Sequence, residues 1–198
     1  MSALQELRVK EREARREIIL SAAQQLFSTR DFRKVTVREI AKAAGMASGT
    51  IYRYYKNLDA LFVDIFLIHA NGISLAVEAE TLKKKKCSIQ RYCEIHVEYL
   101  NENMAFYQMM SHFMLSGDLP SESSEKINPI MRRLMDLLER IIKASGFKDD
   151  SRLAAHALFA SLNGTMISYA RYPGRTLEEV KRHTLRLARL IALQFEAE

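Results

Sequence analysis

Apolar residues recur every three to four positions along nearly the whole chain, the period of helices laid against a core. From about 4 to 29, Ile18, Ala22 and Leu26 form one row and Ile19, Ala23 and Phe27 the next. Arg8, Lys10, Arg12, Arg15 and Arg16 crowd the exposed start of that helix. After a short loop, TRDF, residues 36–58 read as two short helices about a glycine turn. Thr36 and Glu39 have the spacing of a capping box, and Ile40, Ala41 and Ala44 give the first short helix a narrow apolar face. Gly45 stands where a C-cap needs a left-handed residue, and Ser48 is placed to cap the second. Asn57, as an N-cap, and Asp59, in the first turn, open a longer helix with Leu58, Leu61, Phe62, Ile65, His69 and Ile73 on one side. That helix runs to about 82 and is ended by Lys83 to Lys86.

Further helices are expected near 88–102 and 104–116, then a polar loop, GDLPSESSE, then a helix over about 124–145 ending at Gly146. The YPGRT turn divides the last segment into helices near 150–171 and 176–196, with Thr176 and Glu179 as a second capping box. No segment alternates as a strand would, and no internal repeat occurs. The pattern predicts an all-α fold of about nine helices.

The second short helix pairs one apolar anchor, Ile51, with Thr50, Tyr52, Tyr54 and Tyr55. A helix, a tight turn and a polar-faced second helix suit insertion into a DNA major groove. Charge supports this weakly. Net charge is +6; residues 1–60 hold 12 Lys/Arg against 7 Asp/Glu, and the rest hold 18 against 17. The basic excess lies on the segment with the two-helix motif, as for a phosphate-facing head on a nearly neutral body.

Other classes find less support. The charged N-terminus lacks the apolar core of a signal peptide, and no apolar run reads as long enough to span a bilayer, so no membrane partner and a cytoplasmic location are expected. Cys87 and Cys93 are too few for a disulfide framework and read as reduced thiols. No nucleophile elbow, Gly-rich phosphate loop or HExxH occurs, so neither an enzyme nor a cofactor is expected. Cys93 and His96, one turn apart near Glu94 and Glu98, lack a second close pair of metal ligands; they read as a buried thiol and an ordinary histidine.

Two small-residue stripes mark the last helices. Ala154, Ala157, Ser161, Gly164 and Ser168 follow a 3,4,3,4 spacing, and Leu177, Val180, Thr184, Leu187 and Ile191 do likewise. They either pack on the chain's own core or pair with the same two helices of a second copy.

The first 60-odd residues resemble the TetR family of bacterial transcriptional regulators. The resemblance rests on ILSAAQQLFSTRDF, then Thr36-Val37-Arg38-Glu39-Ile40-Ala41, Ala44-Gly45, Gly49-Thr50-Ile51-Tyr52-Arg53-Tyr54-Tyr55 and NLDALF. It implies a three-helix DNA-binding head, residues 1–56, and a helical ligand-binding body, residues 57–198, that forms a homodimer through its last two helices. By position, Ala47, Ser48, Gly49, Thr50, Tyr52 and Tyr54 match positions that approach bases or phosphates, while Thr36 and Tyr55 help fix the DNA backbone. Tyr52 and Tyr55 alternatively pack within the head. Only Arg53 on this helix can read guanine bidentately, the alternative being that it points at the DNA backbone. A lysine that often follows Lys56-Asn57 in the family, and grips phosphate, is Leu58 here, so Lys56 is expected to take that contact.

Residues 104–114, MAFYQMMSHFM, hold four of the nine methionines with Phe106, Tyr107 and Phe113. Thioethers and aromatics make adaptable apolar walls for a hydrophobic effector, or simply core. From this run Met110 and Met114 are candidates beside the three aromatics, and neighbouring helices add Phe66, His69, Tyr92, Met131, Met135, Phe159 and Met166. His96, Tyr99 and Asn163 are the polar candidates. The layout is similar to family members that sense fatty acyl thioesters or other lipophiles. The expected function is a repressor released from a palindromic double-stranded DNA operator by a small hydrophobic effector. The alternative is a lipophile-binding helical protein without a DNA role.

Overall fold

The computed structural model describes residues 2–29, 31–84, 86–116 and 121–195, and the side chains of Phe113, Ser116 and Ser121 lie outside that description. Among the described residues there are nine α-helices and no strand: α1 (Ala3–Thr29), α2 (Val37–Ala43), α3 (Ser48–Tyr54), α4 (Leu58–Lys84), α5 (Ile89–Glu102), α6 (Met104–Ser116), α7 (Ser121–Ala144), α8 (Ser151–Tyr169) and α9 (Leu177–Leu193). A short 3-10 turn, Phe32–Lys34, lies where the sequence suggests plain loop; Asp31 caps it by accepting the Arg33 N–H. The later half of GDLPSESSE is also helical, since α7 begins at Ser121.

Local chemistry explains most boundaries. Both capping boxes form: Thr36 with Glu39 opens α2 and Thr176 with Glu179 opens α9. Gly45, at φ 65°, closes α2, with the Met46 N–H donating to the Ala41 carbonyl at 2.9 Å and the Gly45 N–H to the Lys42 carbonyl at 3.2 Å. This six-to-one and five-to-two pair requires a left-handed residue, which glycine adopts without steric cost. Asn57 caps α4, accepting the Ala60 N–H at 2.9 Å. Ser48 does not cap α3. It is the first helical residue, and the cap position is Ala47, whose side chain offers no acceptor.

One apolar core runs from α1 through α4 to α9. Phe27, Phe32 and Phe62 form a triangle of rings with centroids 5.2 to 6.3 Å apart, and His112 of α6 meets Phe32 at 5.4 Å. Arg16 of α1 donates through Nε and Nη2 to one Asp64 carboxylate oxygen of α4 at 3.0 and 2.8 Å. Head and body are therefore fastened by apolar packing and a forked ion pair. Ile18 is exposed rather than in the core, because it falls at the edge of the α1 face that buries Ile19, Leu20, Ala23 and Phe27.

α4 runs to Lys84, slightly past its expected end, and by length and composition is long and apolar enough to cross a membrane, which corrects the expectation that no run is. Its apolar side chains Leu61, Phe62, Val63, Ile65, Phe66, Ile73 and Val77 are instead buried in the protein. Gly72 permits one close approach within it: a Cβ there would lie 2.2 Å from the Tyr99 hydroxyl. Phe32→Ala is expected to cost about 3–5 kcal/mol. Because the core is continuous, urea unfolding should remain one cooperative transition by circular dichroism; two transitions would show a separately folding head.

Candidate DNA interface and effector site

The head presents α3 outward. Ile51 is its buried anchor, while Tyr52 is 56% exposed and Gly49 and Arg53 are exposed beside it. Ala47 is exposed as well, and Ser48, Thr50 and Tyr54 are half-buried. Arg53 Nη2 donates to Thr50 Oγ1 at 3.4 Å, a long contact that a base or phosphate can displace. Arg33, Lys34, Arg38 and Lys42 add exposed cations on the same head. Thr36 is exposed, but its hydroxyl already donates to Glu39 at 2.8 Å.

Two of the expected DNA contacts stand differently. Tyr55 is 5% exposed and belongs to the core. Its phenol lies beside Arg16 and Asp64, and burial and the Asp64 charge push its pKa up. A side chain held there packs the joint between α3 and α4 rather than reaching a phosphate, which corrects the expectation for Tyr55. Lys56 is exposed, yet its ammonium is paired with Glu122 at the start of α7. Nothing in the sequence pattern joins two residues so far apart along the chain.

The body residues divide rather than lining one pocket. Phe66, Met110, Met114 and Met131 line an apolar cleft between α4, α6 and α7, together with Phe62, Val63, Met109 and Ile127. Its interior is about 70 Å³, so a long ligand requires the unbranched methionines to move, which they do readily. His69 and Phe106 face a second, wider cleft of about 530 Å³ shared with Gln24, Asn103, Met104 and Gln108. His69 stacks on Phe106 with centroids 4.4 Å apart. The Gln24 amide donates to His69 Nε2 at 2.7 Å, so Nδ1 carries the proton and donates to the Tyr99 hydroxyl at 3.0 Å. Tyr99 thus acts as a strut under Gly72.

Tyr92, His96, Met135 and Met166 are buried core, Phe159 is half-buried, and Asn163 is 8% exposed. The Tyr107 hydroxyl donates to the Asn163 carbonyl at 2.8 Å. These residues pack behind the clefts, contrary to the expectation that all of them line a ligand. Phe113 falls outside the described side chains. Sequence reading missed Phe62, Val63, Met109, Ile127 and Glu122. Phe62 was legible as part of the apolar face of α4, but not which partner that face meets. Among the described residues no three His, Cys, Asp or Glu side chains converge as metal ligands. Glu94 instead accepts from Arg189 Nε at 2.7 Å.

Residues 19–65 match the family model described as bacterial regulatory proteins, tetR family. The fatty acid metabolism regulator protein of Bacillus subtilis (strain 168) is 26% identical over 162 residues, 76% of this chain and 81% of that protein. The HTH-type transcriptional repressor KstR2 of Rhodococcus jostii (strain RHA1) is 28% identical over 143 residues, 69% of each. Among solved structures, the transcriptional regulator FadR from Bacillus subtilis in complex with stearoyl-CoA superposes with a TM-score of 0.61 at 22% identity, covering 87% of this chain and 96% of that one.

Two outcomes follow from this geometry. Burial lowers the pKa of His69 and of His96 to about 4, whereas an unfolded chain protonates histidine near ~6.5. The folded state therefore binds fewer protons, and its stability is full above pH ~6.5 and drains as pH falls toward 4. Partnered carboxylates, such as Asp31, held by Arg33 at about 2, lose their contribution only at lower pH. Urea midpoints should fall between pH ~6.5 and 4.5, and less so in His96→Leu; a flat profile would contradict burial of neutral rings. Separately, Glu122→Gln frees Lys56 and should tighten duplex binding about two- to fivefold at low salt by fluorescence anisotropy. Unchanged binding would show that Lys56 does not meet DNA.

Proposed function

Since this chain belongs to the TetR family of bacterial regulatory proteins, we propose that it is a cytoplasmic, homodimeric repressor released from a palindromic operator by a small hydrophobic effector. One observation carries the link between the two activities. Phe62 packs on Phe27 and Phe32, which fasten the head, and also lines the apolar cleft. A ligand that displaces Phe62 acts directly on the joint that sets head orientation.

The DNA end of the reading is a head, residues 1–56, whose Gly49, Thr50, Tyr52 and Arg53 enter the major groove, with Ala47, Ser48, Tyr54 and Lys56 toward the flanking backbone. Short hydroxyl side chains read few base edges, so phosphate contacts and DNA shape supply much of the affinity. Two heads roughly 34–36 Å apart reach successive major grooves, which is why the operator is palindromic. The effector binds the state with misplaced heads more tightly than the DNA-bound state, since equal affinity shifts nothing. The relative solved with stearoyl-CoA and the B. subtilis fatty acid regulator support a long-chain lipophile as the effector class.

The dimer forms through the outer faces of α8 and α9. Ala157, Ser161, Gly164 and Ser168 of the α8 stripe are exposed in the single chain, as are Ile167, Leu190 and Leu193. The α9 stripe behaves otherwise: Val180 and Thr184 are buried against the chain's own core, where Thr184 accepts from Asn101 at 3.0 Å.

Titrating the protein against its own promoter DNA over a salt series tests the function. Binding should weaken steeply with salt, and Tyr52→Ala with Thr50→Ala should abolish preference for the operator. Salt-independent or absent duplex binding would leave only a lipophile-binding protein. For the dimer, Gly164→Phe is decisive, because nothing lies within 4 Å of a Cβ there. The variant should keep its helicity yet run as a monomer in analytical ultracentrifugation and lose most operator affinity; a stable dimer would move the interface elsewhere.

A further inference from the structure

A cavity outside the DNA face and the methionine-lined cleft lies where α8 passes through the YPGRT turn into α9. Its volume is about 530 Å³, and Tyr169, Tyr172, Arg175, Arg182, His183 and Arg186 line it together with Glu179 and Val180. Small-molecule sites commonly fall in this range, roughly 300–1,000 Å³. The rings make a flat wall. Tyr169 and Tyr172 lie nearly parallel, with centroids 5.9 Å apart at 24°, and His183 meets Tyr169 edge-on at 4.8 Å. The turn holds them there, the Tyr172 N–H donating to the Tyr169 carbonyl at 3.1 Å and the Arg175 N–H to the Tyr172 carbonyl at 3.4 Å. Tyr172 is nonetheless 51% exposed.

The charges around the cavity are unbalanced. Three guanidiniums share it with one carboxylate, and that carboxylate is already engaged. Glu179 Oε2 accepts from the Thr176 N–H and hydroxyl at 2.9 and 3.2 Å, and Oε1 meets Arg175 at 3.6 Å. Arg91, Arg152 and Arg189 of the same body are tied to carboxylates. Arg182 and Arg186 have no hydrogen-bond or ion-pair partner among the described residues. They stand one turn apart on α9, where like charges cost helix stability, and Arg175 lies beside the positive end of that helix's dipole. Folding gains nothing from this grouping, whereas an anion between the forks would turn each cost into attraction.

The geometry points to a further ligand site: the cavity takes a flat aromatic anion, its ring against Tyr169 and Tyr172 and its phosphate or carboxylate on Arg182 and Arg186. Guanidinium forks bind either oxyanion bidentately, and phenol rings stack on any flat π-face. Arg182 and Arg186 share the outward face of α9 with Leu190 and Leu193, so the site borders the proposed dimer contact. It is complete within one chain and needs neither the DNA reading nor the effector reading.

Calorimetry on the full chain at low salt tests it with four probes: adenosine 5′-monophosphate, 2-naphthoate, adenosine and inorganic phosphate. At least one of the two aromatic anions should bind about tenfold or more tighter than adenosine, the ring without charge, and than phosphate, the charge without ring. A preference for the nucleotide assigns the site to phosphates, and one for naphthoate assigns it to carboxylates. The bound probe should shift the ring signals of Tyr169, Tyr172 and His183. Arg182→Gln with Arg186→Gln, both exposed, should keep helicity and lose at least about tenfold in affinity, and Tyr172→Ala about fivefold or more. Phosphate binding as tightly as either aromatic anion, no binding at all, or full affinity in the double variant would overturn the inference. Binding confined to the Gly164→Phe monomer would also overturn it, since a partner would then cover the cavity in the dimer. None of these results bears on operator or lipophile binding.

Discussion

The ring triangle of Phe27, Phe32 and Phe62 is the constraint on which the rest of the molecule depends. Phe27 ends α1, Phe32 comes from the 3-10 turn, and Phe62 lies in the second turn of α4. Three helical elements of different direction are thus tied at one point by edge-to-face and tilted ring contacts. The Arg16–Asp64 pair fixes the same two helices further along. Orientation of the exposed α3 face is set by this joint, because α2 and α3 reach the body through α1 and Tyr55.

A joint made of packed rings has discrete arrangements rather than a continuous range, since interiors are dense and deform little. That gives the proposed regulator its lever. Phe62 belongs both to the joint and to the methionine-lined cleft, so a filled cleft and an undisturbed joint compete for one side chain. The cleft as it stands is small and lined by apolar side chains, and its methionines rearrange at low cost. The Lys56–Glu122 pair adds a second, weaker tie near the same end of α4. Both side chains are more than half exposed, so it is screened by salt and contributes little to stability.

Much of this was legible in the sequence, and the misses have physical reasons. Helix positions follow from periodicity and from local devices that need only neighbouring residues: Thr36 with Glu39, Gly45, Asn57, and Thr176 with Glu179. The exposed face of α3 was equally legible, since α3 is short and has one apolar anchor, Ile51. Tertiary facts were not. Tyr55 looks like a hydroxyl available to DNA until α1 and α4 are seen to enclose it. Tyr92, His96 and Asn163 have the composition of pocket residues but lie behind the cleft wall. The α8 and α9 stripes look alike in sequence, yet Ala157, Ser161, Gly164 and Ser168 face outward while Val180 and Thr184 are buried.

The central claim is that effector and operator bias one joint in opposite directions. It is tested most directly by measuring the affinity of methyl decanoate for the protein alone and for the protein saturated with operator. The account predicts weaker binding to the complex by at least about fivefold, with operator affinity reduced by the same factor at saturating ligand, as linkage requires. Equal affinity for the free and DNA-bound protein would contradict it, because a ligand with no preference between the two states moves neither.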